Sequence, residues 1–158
     1  MFMLLAQMMF VGILLCKAYL QPEIDDCMRH HVDAKRPTGG GRMSNLRSDL
    51  FRGDPRLERC LLHDSDHVLK GHRGDFVSKI QYAVLVLAGG TIRGSEVSGK
   101  LYGEDTAKLV KKYKVNRKII NYTYQQSADD VVGKMTIRAL DSEMFAIERF
   151  QRFRSRTY

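Results

Sequence analysis

Gly103-Glu104-Asp105-Thr106-Ala107-Lys108-Leu109-Val110 and Gly133-Lys134-Met135-Thr136-Ile137-Arg138-Ala139-Leu140 are two copies of one phrase, a glycine followed three positions on by threonine and then by apolar residues. A weaker third copy precedes them at Gly74-Asp75-Phe76-Val77, running into Ile80-Gln81, so the three glycines stand about thirty residues apart. Each copy reads as the start of a helix. Glycine can take the positive φ that a sharp turn into a helix often needs, and a threonine in the first turn can bond back to an orphan backbone group. Apolar residues then follow at helical spacing: Val77, Ile80, Val84 and Leu87 in one stripe, Leu109, Val110 and Tyr113 in a second, Leu140, Met144 and Ile147 in a third. Three short amphipathic helices, none able to bury its face alone, predict an all-α fold, a small three-helix bundle. Asp54-Pro55 marks the start of a further short helix, with Leu57, Cys60 and Leu61 as its apolar stripe.

Taken together these residues resemble the bacterial peptidoglycan-binding-like domain family, whose pattern is V-x-x-I/L-Q, then Y-G-x-x-T, then G-x-x-T-x-x-A-L. The chain supplies Val77, Ile80-Gln81, Tyr102-Gly103, Thr106, Val132-Gly133, Thr136 and Ala139-Leu140 in that order, over residues 70–148. The resemblance implies a non-catalytic module, without cofactor or metal, that binds cell-wall peptidoglycan. It also implies that Val77, Ile80, Gln81, Tyr102, Gly103, Thr106, Gly133, Thr136 and Leu140 are fold determinants first. Two departures from the pattern bear on the ligand. The family's second helix usually closes with an aromatic-Gln pair, whereas here Lys111-Lys112-Tyr113-Lys114 runs into Val115-Asn116-Arg117-Lys118. The segment Ile119 to Gln126 is also longer and more aromatic than the turn expected there. Such domains usually position a wall hydrolase of the same chain; 158 residues leave no room for one beside this domain, so a separate hydrolase or a secretion-system protein is the expected partner.

Glycan strands and stem peptides are held by exposed aromatic groups that stack on sugars and by polar groups that pair with carboxylates. The candidates are Tyr113, Arg117, Asn121, Tyr122, Tyr124 and Gln125, with arginine suited to a carboxylate because its planar fork binds both oxygens. The competing reading has Ile119, Ile120, Tyr122 and Tyr124 folding back as a plug over a small core.

The formal charge of +8 falls mostly on residues 43–158, which hold 21 Lys/Arg against 14 Asp/Glu. A basic module suits an anionic polymer, and wall polymer, membrane headgroups and nucleic acid all qualify. Nucleic acid is disfavoured, because no helix-turn-helix spacing or RNA-binding aromatic signature is present. The alternatives to wall binding are an intracellular protein-interaction module on the same fold and a basic polyanion-binding protein.

Met1 to Cys16 is apolar apart from Gln7 and Gly12, with Lys17 directly after. Three readings are open: a noncanonical signal or anchor, a folded extension, or a true start at Met43, since the codons of Gly39-Gly40-Gly41 all begin GG and so suit a ribosome-binding site. A signal in residues 1–20 places the protein in the cell envelope, and an anchor there is the expected route to a membrane; a start at Met43 places it in the cytoplasm. The chain thus divides into residues 1–42, an apolar segment and linker; 43–73, a lead-in helix and turn; 74–148, the bundle; and 149–158, a basic tail.

Chemistry has few candidates. Cys60 reads as a buried small apolar residue. His63 and His67 stand at i, i+4 with Asp66 or His72 to complete a metal set, but the string His63-Asp64-Ser65-Asp66-His67 reads better as a solvated turn, without H-E-x-x-H or a spaced Cys pair. A metal-dependent hydrolase around His63 is the remaining catalytic alternative. At the carboxyl end, Arg149-Phe150-Gln151-Arg152-Phe153-Arg154-Ser155-Arg156 either continues the third helix, with Phe150 on the core side, or is a frayed basic tail for phosphate groups on membrane or nucleic acid.

Overall fold

The computed structural model describes residues 44–156 apart from 124 and 125, all within Arg42–Tyr158, the second of the two units into which the chain divides. The readings of residues 1–42 and of Met43 lie outside the described residues. Among the described residues five α-helices follow in order: α1 Pro55–Leu62, α2 Asp75–Ala88, α3 Gly94–Ser98, α4 Glu104–Arg117 and α5 Lys134–Ser155, with a 3₁₀ turn Asp64–Asp66 after α1. The fold is all-α. Among the described residues the only β pairing is two antiparallel bridges, Val68 with Val132 and Arg73 with Leu101. Beside the three helices begun by the repeated glycines stand α1, the helix expected from Asp54-Pro55, and α3, which the sequence pattern did not signal. Helix α2 packs on α4 and on α5, and α1 packs on α5.

The repeated glycines cap α2, α4 and α5 at their starts. Only Gly74, with φ 136°, uses glycine's conformational freedom. Gly103 and Gly133 have φ of −94° and −112°, which any residue adopts, and what they supply is space. A Cβ on Gly103 would lie 2.3 Å from the Glu96 carboxylate carbon, and one on Gly133 would lie 3.0 Å from His67 Nε2.

The expected stripes are the core. Val77, Ile80, Val84, Leu109, Val110, Tyr113, Leu140 and Met144 are buried, with Leu87 and Ile147 partly so. Leu57, Cys60 and Leu61 join them from α1, and Leu46 and Phe51 from the stretch before it, so the lead-in is core and not an appendage. Asp54 caps α1, its Oδ1 accepting from the N–H groups of Arg56 and Leu57 at 3.0 and 3.1 Å. Cys60 is fully buried, and desolvation pushes its thiol up to about 11. The irregular stretch before α1 satisfies its later N–H groups itself, Phe51 on Ser48 Oγ, Arg52 on Ser48 O and Asp54 on Phe51 O, but not most of the earlier ones. Three carboxylates take them: Glu58 for Asn45 and Leu46, Asp141 for Arg47 and Ser48, Glu148 for Asp49 and Leu50. At the other end α5 continues through the expected tail to Ser155, but Phe150 is 62% exposed and does not face the core.

Glu96 of α3 caps α4 from outside. Its Oε1 accepts from Asp105 N–H at 3.0 Å, and its Oε2 accepts from Thr106 N–H at 3.1 Å and from the Thr106 hydroxyl at 2.8 Å. Thr106 therefore bonds to Glu96 rather than back to its own turn. Burial raises the Glu96 carboxyl, but these bonds outweigh it and hold it below the ordinary 4.5. A carboxyl with a lowered folded pKa stabilises fully above its unfolded pKa, and that stabilisation is lost as pH falls through the folded one. Glu96→Gln should cost about 1–3 kcal/mol at pH 7. It should also flatten the fall of the urea midpoint between about pH 5 and pH 3; wild-type steepness in the variant would assign that acid sensitivity to another group.

Candidate functional site

Tyr113 and Arg117 lie one turn apart on the same face of α4, so both meet Glu143 on α5. The Tyr113 hydroxyl donates to Glu143 Oε1 at 2.8 Å. Arg117 donates from Nε to Oε1 at 2.9 Å and Oε2 at 3.1 Å, and from Nη2 to Oε2 at 2.8 Å. Burial, then the bond to Glu143, raises the Tyr113 phenol above its ordinary range, so it stays protonated. Burial pushes the Glu143 carboxyl up, but Arg117 and Tyr113 together bring it below the ordinary range. Glu143 in turn raises Arg117. At neutral pH the three form a phenol, a carboxylate and a guanidinium with no net charge. The arginine fork is thus filled by a carboxylate of the chain itself, in the manner a peptide carboxylate would fill it.

The six candidate contacts divide accordingly. Tyr113, expected among the exposed aromatics, is fully buried, because its ring completes the α4 stripe of Leu109 and Val110. Arg117 is exposed but engaged by Glu143. Lys118, in the left-handed region at φ 54°, ends α4 and turns the chain back so that Ile119 N–H reaches Lys114 O at 2.9 Å. Ile119 is buried and Ile120 half-buried, so the isoleucines do form a plug. Tyr122 does not join it, being 75% exposed. Asn121 is exposed, and its Oδ1 accepts from Thr123 N–H at 3.2 Å. Tyr124 and Gln125 lie outside the described residues.

Around this site α4 is basic. Lys108, Lys111 and Lys118 are exposed; Lys108 also helps Arg93 to hold the Asp105 carboxyl below its ordinary range. Lys114 differs: it is buried, ion-paired to Asp129, and its Nζ donates to Val131 O at 3.1 Å. The basic run of the sequence is therefore divided by helix geometry between surface and interior.

The residues of the family-like pattern lie inside. Val77, Ile80, Gln81, Tyr102, Thr106, Thr136 and Leu140 are buried, with Gly103 and Gly133 at helix starts. Gln81 Nε2 donates to Thr106 Oγ1 at 3.0 Å and to Leu101 O at 2.9 Å. The Tyr102 hydroxyl reaches Asp130 O at 2.5 Å.

The histidines are spread out. His63 is exposed beyond α1, His67 Nε2 lies 3.4 Å from Asp64 Oδ1, and His72 Nδ1 accepts from Leu69 N–H at 3.2 Å. Lys134 Nζ stands 3.3 Å from the same Asp64 oxygen, so an ammonium occupies the place a cation would take. Among the described residues no three His, Cys, Asp or Glu side chains are grouped to hold a metal, and no helix is long and apolar enough to cross a membrane.

Sequence reasoning missed Glu143, although a signal was present. It stands three residues after Leu140 and four before Ile147, on the apolar stripe of α5, where an acid needs a partner. Glu96, in the short stretch Gly94 to Gly99, carried no such signal. Comparison of the chain with protein-family models, with curated proteins and with solved structures finds no match.

Tyr113 carries two separable contributions. Tyr113→Phe should remove the phenol donor alone and cost about 0.5–1.5 kcal/mol, whereas Tyr113→Ala should open the core and cost about 3–5 kcal/mol. Urea titration distinguishes them, and equal losses would mean that the ring contributes nothing to packing.

Proposed function

We propose that this chain is a non-catalytic module that binds bacterial cell-wall peptidoglycan and so holds a partner, a wall hydrolase or a secretion-system protein, at the wall. The observation that carries the reading is the bond between Gln81 and Thr106. These residues belong to two separate parts of the family-like pattern, and in the fold they meet in the core between α2 and α4, as parts of one structural signature would. The exposed lysines of α4 add a surface suited to an anionic polymer. Contact with the wall falls to Arg117, Asn121 and Tyr122 at the exit of α4, where a planar cation and an exposed ring suit stem-peptide carboxylates and sugar faces. A stem-peptide carboxylate engages Arg117 by displacing Glu143.

The test is co-sedimentation of the full chain with purified insoluble peptidoglycan at low and at physiological salt. Retention should persist at both. The variant Arg117→Ala with Tyr122→Ala should lose about tenfold in affinity, the equivalent of roughly 1.4 kcal/mol, with helix content unchanged by circular dichroism and a lowered thermal midpoint from the lost Arg117–Glu143 pair. Release at physiological salt, with equal capture by a soluble polyphosphate, would replace the wall with a generic polyanion. No retention at either salt would overturn the proposal.

A further inference from the structure

Helix α5 outruns the core it helps to build. Its last fully packed residue is Met144, Ile147 is partly buried, and Glu148 is taken up by the N–H groups of Asp49 and Leu50. From Arg149 to Arg156 every residue is exposed. At 100° per residue, Ala146, Phe150 and Phe153 fall within about 60° of one another on the helix surface. Phe150 is 62% and Phe153 70% exposed. Arg149 and Arg156 flank this stripe on one side and Arg154 on the other. Arg152 points away from it, 3.4 Å from Asp49 Oδ2. Residues 149–156 contain four arginines and no acid.

An aromatic stripe edged on both sides by arginine matches a particular kind of surface. A soluble polyanion would neutralise the guanidinium groups and leave both rings in water. A second copy meeting ring to ring would bring a like-charged arginine cluster against its own. An anionic bilayer takes both parts: rings settle at the boundary of headgroups and acyl chains, while arginines lay their stems along the apolar layer and bind phosphates with their planar forks. The segment is a helix held firmly at its other end by the core, so its two faces are already sorted before it meets a surface. We propose that the exposed end of α5, from Ala146 to Arg156, docks on an anionic lipid bilayer, with Phe150 and Phe153 at headgroup depth and Arg149, Arg154 and Arg156 on lipid phosphates. This site includes none of the residues read for wall binding, Arg117 and Tyr122, and wall binding is read in a separate assay.

The chain contains no tryptophan, so Phe153→Trp provides a single reporter at the proposed contact. In the full chain, vesicles of phosphatidylglycerol and phosphatidylcholine should shift its emission to shorter wavelength, and lipids brominated in the upper acyl chain should quench it. Phosphatidylcholine vesicles alone should do neither. A control reporter at the start of α5, Met135→Trp, should remain unshifted. Adding Arg154→Glu and Arg156→Glu to the Phe153→Trp chain should weaken vesicle binding at least about tenfold, with helix content unchanged by circular dichroism. The proposal is overturned if the Phe153→Trp reporter stays in water while the chain sediments with the vesicles, or if the chain does not bind them. An equal shift on adding RNA or polyphosphate without lipid would assign the surface to a polyanion instead. A lipid-free shift that grows with protein concentration would assign it to a second copy.

Discussion

The carboxylate of Glu96 is the contact on which the arrangement of the helices depends. It lies 94% out of solvent and accepts three hydrogen bonds from the first turn of α4. A helix start leaves N–H groups without partners, and a carboxylate answers both their hydrogen-bonding need and the positive end of the helix dipole. Because Glu96 belongs to α3, the cap also ties that short helix to the next one across residues 99–103, beside the Arg93–Asp105 ion pair at 2.7 Å. Gln81 brings α2 to the same place through Thr106, Leu101 O and, at 3.4 Å, Glu96 O. Gly103 is required because the carboxylate stands where a Cβ would be. The cost is visible in Gln81 Oε1, a buried oxygen with no hydrogen bond.

The same device recurs. Asp54 caps α1, Asp141 and Glu148 hold the stretch before it, and Glu143 binds Tyr113 and Arg117. Acids are thus drawn into internal duties, while lysines such as Lys108 and Lys111 stay in water. The exposed cations, more than the composition as a whole, are the groups that an anionic ligand would meet.

At the exit of α4 the chain fills its own arginine fork. Burial alone would favour a protonated Glu143; the arginine and the phenol together keep it ionised. An incoming carboxylate must therefore compete with one already held by three bonds to Arg117 and one to Tyr113, and discrimination between ligands turns on the difference between two similar pairings. Tyr122, by contrast, stands clear of the core and is open to stacking. The end of α5 presents other chemistry, rings and arginines on an already formed helix.

Periodicity alone determined much of this fold. The apolar stripes of α2, α4 and α5, the helix begun by Asp54-Pro55 and the burial of Cys60 follow from spacing, because a helix sorts its faces every 3.6 residues whatever its surroundings. The glycines were legible as helix starts, but not the reason for two of them. Gly103 and Gly133 are needed for room beside Glu96 and His67, and no local rule says which distant side chain will arrive. Tyr113 shows the same limit: its place on the α4 stripe was visible, yet whether its ring met solvent or core depended on α5. The tertiary structure alone decided that Glu96 caps α4, that Glu143 occupies Arg117, that the stretch around Leu46 and Phe51 is core, and that Phe150 faces water. The physical reason is that a polar or aromatic group has several acceptable partners, and only packing brings one of them within bonding distance.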